Sequence, residues 1–204
     1  MTDQPRPRSP VILPPMPTGR SMETVDERVV RAPARDIFAI VRQVEHWPAY
    51  LSHYRSVRFI ERATDGSGVV DMSAWRPFGL VRWPTWWRSE MAVDNDRPAI
   101  RFRHIGGITA GMDVEWSFTP RPDLSAGGEV TLVRILHVWN GPGWPVIGRF
   151  AATGIIGPTF VHDIASRTLA GLGAIAEREA TQTRATQIPA EGGQHAIPEA
   201  RQGL

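Results

Sequence analysis

The chain has 204 residues, 23 basic and 21 acidic side chains, a formal charge of +2 and no cysteine. Every basic residue is arginine, so with only Tyr50 and Tyr54 besides, almost nothing titrates between histidine and arginine. A sequence pI near 9.9 then follows from a small charge excess and is weak ground for a nucleic-acid partner. The excess is also misplaced for a nucleic-acid groove: residues 1–21 carry Arg6, Arg8 and Arg20 against Asp3, whereas residues 22–180 hold 18 arginines and 18 acids. The missing cysteines exclude disulfides, thiol catalysis and cysteine metal ligands. The longest apolar run, Phe150 to Val161, is bounded by Arg149 and His162 and broken by Pro158, too short for a membrane span. Val11-Ile12-Leu13 runs straight into Pro14-Pro15, unlike a signal peptide, so a cytoplasmic location is expected.

Six of the 18 prolines fall within residues 1–21, which read as an extended disordered tail. Residues 181–204, rich in Gln, Thr, Ala, Gly and Pro, read the same way, leaving 22–180 as one ligand-binding domain. Glu23 to Arg31 is a first strand. Pro33 then opens a helix whose apolar residues Ile37, Ile40, Val41 and Val44 recur at helical spacing. Trp47-Pro48 ends it, with a short helical turn near Tyr50 and Leu51. After Tyr54 the period changes to two: Val57 and Phe59, Val69 to Trp75, Trp86 to Val93, Ile100 to His104, Met112 to Phe118 and Glu129 to Trp139. Gly157-Pro158 opens a last helix, to about Glu179, with Phe160, Ile164, Thr168, Leu172 and Ile175 on one face and Gly171 and Gly173 permitting close approach. Strands in unbroken succession predict an α+β fold: a curved antiparallel sheet of about seven strands with one long helix across its concave face.

Four stretches stand out: Ala32-Pro33 leading into Val44-Glu45-His46-Trp47-Pro48, then Ser52-His53-Tyr54, Met112-Asp113-Val114-Glu115-Trp116, and Gly127 to Leu132 leading to His137. In this order they resemble the helix-grip superfamily of START-like lipid carriers and polyketide cyclases, and most closely its polyketide cyclase/dehydrase (aromatase/cyclase-like) group. The resemblance implies a deep apolar cavity in which a poly-ketone is folded, closed by aldol chemistry and dehydrated. It implies a tyrosine, matched by Tyr54, as acid or base, and an anchoring arginine on a central strand. At that arginine's position stands Met91, in Trp87-Arg88-Ser89-Glu90-Met91. Strand parity puts Trp87, Ser89 and Met91 on one face and Arg88 on the other.

His104 shares parity with Ile100 and Phe102, and His137 with Val133, Ile135 and Trp139, so both are candidates for moving protons inside the cavity. Ordinary structural histidines fit the same pattern. Trp47, Trp87, Met91, Met112 and Trp116 are the candidate ligand-binding residues, aromatic faces suiting a flat or elongated apolar molecule. Trp83-Pro84-Thr85-Trp86-Trp87 alternatively forms an exposed aromatic lip. The histidines show no metal-ligand spacing, so neither a metal nor a cofactor is expected. Gly171 to Ala176 fits G-x-G-x-x-A but lies within a predicted helix and follows no strand, which excludes a nucleotide loop. The partner expected is a small hydrophobic ligand, bound by a monomer or homodimer without stable membrane insertion. Two functions stay open: a cyclase/dehydratase, or a non-enzymatic lipid or quinone carrier.

Overall fold

The computed structural model describes residues 4–78, 81–124, 128–141 and 161–187, with the backbone alone at 76–78, 81–83, 123 and 187. In chain order the elements are β1 (Arg6–Pro7), β2 (Met22–Val30), α1 (Ala34–Val41), a 3-10 turn (Val44–His46), α2 (Trp47–Tyr50), β3 (Tyr54–Arg62), β4 (Gly68–Phe78), β5 (Val81–Asp94), β6 (Ala99–Gly107), β7 (Asp113–Pro120), a second 3-10 turn (Pro122–Leu124), β8 (Thr131–Trp139) and α3 (His162–Gln187). The expected start of the last helix at Gly157-Pro158, together with Phe160, lies outside the described residues.

The strands form one curved, open sheet in the order β1-β3-β4-β5-β6-β7-β8-β2. It has eight strands where about seven were expected, and it is mixed: β1 runs parallel to β3, and all other neighbours are antiparallel. A two-residue strand beside prolines is too short to leave a period-two signal. The inner face carries Val70, Met72 and Ala74 of β4, Ile100 and Phe102 of β6, Val114, Trp116 and Phe118 of β7, and Val133 and Ile135 of β8, all buried. Against it packs α3, whose Ala165, Leu169, Leu172 and Ala176 join Val30, Ile37 and Val41 in one core. At Gly171 a Cβ would lie 2.2 Å from a Leu51 methyl, so glycine is what lets the helix axis come this close.

Of the segment expected to be a disordered tail, the described residues 4–21 make contacts along the sheet. Arg6 and Arg8 pair with Glu61 at 3.3 and 3.2 Å. The Val11 side chain is buried, and its N–H donates to Ser67 Oγ at 2.9 Å. Arg101 donates to the Leu13 carbonyl, and the Ser21 N–H to Asn140 Oδ1. The arm thus runs from the β3 edge to the end of β8 and brings its surplus arginines to acids. Beyond the two-residue β1 it makes single contacts rather than a ladder, so no periodicity announces it. Burying Val11 stabilises by about 1.5–3 kcal/mol. Deleting residues 1–21 is therefore expected to lower Tm by roughly 5 °C in a thermal melt while leaving apolar-probe binding intact. Residues 181–187, which the sequence reading placed in the second tail, belong to α3, which continues to Gln187; residues 188–204 lie outside the described residues. Residues 181–186 are exposed, with the Thr181 and Thr186 hydroxyls donating to carbonyls one turn back, so they carry no apolar stripe.

Candidate functional site

Between α3 and the sheet lies a cavity of about 80 Å³. Trp47, Tyr54, Trp87, His104, Met112, Trp116 and His137 all line it, joined by Met72, Phe102, Val114 and Ile135 from the strands, by Val161 just before α3, and by Ile164, Ala165 and Thr168 from α3. Seven of the eight residues singled out from the sequence therefore converge on one space. Met91 does not. It is fully buried, pairs with Gly68 and Phe102 across the strands, and belongs to the packed core behind the cavity. Its inward parity is correct; its position along β5, four residues beyond Trp87, carries it past the pocket floor.

Tyr54 reaches the cavity through an irregularity. It opens β3, and the register with β4 shifts between Tyr54 and Ser56. The extra residue places Tyr54 and Val57, of opposite parity, on the same buried face. Its ring is held between Trp47 at 5.2 Å and Trp87 at 6.2 Å, and Trp47 leans in turn on Trp116 at 5.8 Å. The Trp47 indole N–H donates to the Val41 carbonyl at 3.1 Å, so the ring is buried without an orphan donor.

His104 is wrapped by the turn that follows it. Gly107, at φ +85°, reverses the chain where a Cβ would lie 2.3 Å from the Trp86 carbonyl. The turn closes with Gly111 N–H donating to the His104 carbonyl and His104 N–H to that of Met112. It delivers the Thr109 hydroxyl to His104 Nδ1 at 2.6 Å, while Trp87 stacks on the imidazole at 6.0 Å. His137, half-buried, has Nδ1 3.5 Å from the Thr24 hydroxyl. His53, beside Tyr54, has Nε2 3.1 Å from the Thr168 hydroxyl. Three inward histidines are thus each hydrogen-bonded to a threonine. Thr109 and Thr24 gave no signal in sequence, because each pair is made across a turn or between strands distant in the chain. Thr168 was visible only as one position of a helical stripe.

No arginine, aspartate or glutamate is among the described lining residues. Arg88 lies on the outer face as its parity implied, bonded to both carboxylate oxygens of Asp71 at 2.6 and 2.8 Å. That hydrogen-bonded pairing raises its guanidinium pKa further above the ordinary value. In the stretch weighed as an aromatic lip, Trp86 is exposed while Trp87 is buried at the pocket. The Trp83 side chain lies outside the described residues.

Beside the pocket, Asp26 of β2 is buried, and its Oδ1 bonds His162 Nδ1 at 2.5 Å and accepts from Ser166 Oγ at 3.2 Å. Its Oδ2 has no hydrogen-bond partner among the described residues. Burial pushes the Asp26 carboxyl above the usual carboxylate range, against the opposing pull of the His162 charge and the two hydrogen bonds. The folded protein then holds a proton at a pH where the unfolded chain has lost it. This contribution to stability grows as pH falls through the raised pKa and is lost as pH rises through it. Comparing melts at about pH 7 and about pH 5, the Tm difference between wild type and Asp26→Asn is expected to move in favour of the wild type at the lower pH.

An α+β fold with one long helix packed over the inner face of a curved sheet, and an aromatic pocket between them, defines the helix-grip class. A sequence profile of the family described as polyketide cyclase/dehydrase and lipid transport matches residues 30–156, and the chain belongs to that family. Among curated protein sequences nothing matches it. Among solved structures it is similar to a protein from Thermus thermophilus, with TM-score 0.63 and 19% identity, covering 78% of this chain and 99% of that one. It is also similar to a START superfamily protein from Mycobacterium smegmatis, with TM-score 0.54 and 17% identity, covering 79% and 99%. A third similar structure is StfQ, a di-domain aromatase/cyclase from the steffimycin biosynthetic pathway, with TM-score 0.58 and 19% identity. That match covers 79% of this chain and 53% of StfQ. These likenesses establish the fold.

Proposed function

We propose that this protein takes a small hydrophobic molecule of the polyketide, lipid or quinone type into its pocket and promotes cyclisation and dehydration of a poly-ketone there. The observation that carries this reading is the convergence of Tyr54, His104 and His137 on one otherwise apolar pocket. Confining a flexible poly-ketone between Trp47, Trp87 and Trp116 brings a methylene carbon against a distant carbonyl. A histidine removes a proton from that methylene, the new C–C bond forms at the carbonyl carbon, and Tyr54 protonates the resulting alkoxide. The Tyr54 phenolate then removes the second proton of the same carbon, and the protonated histidine donates to the hydroxyl, which leaves as water and returns both side chains to their starting states. One C–C bond forms and one C–O bond breaks with no net oxidation or reduction, so no redox partner is needed.

A carrier reading is favoured by a different observation. The described lining holds no charged anchor, and Met91, where the resembling cyclases place an arginine, is withdrawn into the core. Incubation with a reactive poly-ketone, followed by mass spectrometry of the small molecule, separates the two. Loss of water faster than in buffer supports the enzyme. Recovery of the unaltered compound in complex with the protein supports the carrier.

A further inference from the structure

A ligand of the proposed kind does not fit the cavity as it stands. About 80 Å³ holds a few waters, whereas pockets for drug-sized ligands run to about 300 Å³ or more. One wall must yield, and the walls differ in how they are held. The strands that line the pocket are tied to their neighbours by antiparallel backbone pairing. Val161 and the first two turns of α3, carrying Ile164, Ala165 and Thr168, are held among the described residues by side chains.

Along α3 that hold is uneven. From Leu169 to Ala176 the helix packs on Val30, Ile37 and Val41 through a close apolar seam, with Gly171 against Leu51 and Gly173 beside Val30 and Arg28. One turn nearer its start the contact with β2 becomes polar: buried Asp26 against His162 and Ser166. The cluster leaves one carboxylate oxygen unbonded among the described residues, and the imidazole is largely exposed. Burying a carboxylate short of a full set of partners makes a contact that is inexpensive to break, because water satisfies what the protein leaves open. The neighbouring charges on α3, Asp163 and Arg167, pair with each other.

We propose that Asp26, His162 and Ser166 form a latch that holds the first turns of α3 against β2, and that the ligand reaches the pocket when this latch opens. The inference rests on the reading that the pocket holds a hydrophobic ligand. Because the pocket as it stands is too small, the latch is also broken in the bound state. Weakening it therefore raises the association rate and the affinity by the same factor and leaves the dissociation rate unchanged.

The test uses Nile red, an uncharged apolar dye, with the full-length protein in stopped-flow fluorescence. His162→Ala removes an exposed side chain and is expected to raise the association rate and the affinity about tenfold, in the range of one charge-assisted hydrogen bond. In the converse variant, Asp26→Cys with Ser166→Cys, the two thiols are the only ones in the chain. Its oxidised form is expected to bind at least about tenfold more slowly than its reduced form, with the rate restored by reductant. If His162→Ala stays within about twofold of wild type and the oxidised cross-link binds as fast as the reduced, the latch is overturned while the pocket stands. If Nile red binds none of the forms, pocket and latch fall together.

Discussion

Trp47→Ala is expected to lower Tm by about 10 °C or more, the largest stability loss of any single substitution in the lining. Trp47 is 2% exposed and touches Tyr54, Phe102 and Trp116 through its ring faces and edges. Truncating a buried tryptophan costs about 3–5 kcal/mol, from lost transfer energy and the space left behind. For a chain of this size each kcal/mol corresponds to about 2–4 °C. The loss also frees the Val41 carbonyl from its indole donor and unpacks one side of Tyr54. Trp86→Ala is the matched control: the same residue type, 55% exposed on the outer face, where substitution changes stability by about 0.5 kcal/mol or less. Calorimetric melts of the two variants check both expectations, and similar losses from both would mean that Trp47 does not hold the pocket together.

Tyr54→Phe is expected to reduce poly-ketone turnover about 100-fold or more, the scale of a lost general acid–base group, while Nile red affinity changes by less than about threefold. The separation follows from how the ring is held. Trp47 and Trp87 contact its faces and edge, and the bulge after Tyr54 fixes its backbone. Neither depends on the hydroxyl, so the phenyl ring occupies the same place. Parallel kinetics and equilibrium binding on one preparation give both quantities. Unchanged turnover removes Tyr54 from the chemistry, and an equal loss of binding assigns it to ligand recognition instead.

Much of this site was legible because strand parity is a strict two-residue rule. His104, His137, Trp87 and Trp116 each sat in a clean alternation, and each lines the pocket. Arg88 was placed outside by the same rule, and there it meets Asp71. Parity says which face a residue takes but not how far along the strand the cavity extends, which is why Met91, though inward, is not among the described lining residues. It also fails at irregularities. The register shift that turns Tyr54 inward leaves no compositional mark, and Tyr54 was reached through its resemblance to a family residue. The arm and the Asp26–His162–Ser166 cluster were illegible for a different reason. Their contacts join residues more than fifty positions apart through single hydrogen bonds, and no local pattern encodes them.

A hydrophobic ligand in the space under α3 is reported most directly by the indole N–H resonances. In a two-dimensional NMR titration with an uncharged apolar ligand, the signals of Trp47, Trp87 and Trp116, which line the pocket, are expected to shift, while exposed Trp86 stays in place. Shifts confined to Trp86, or none in the three pocket tryptophans at saturation, would contradict occupation of that space.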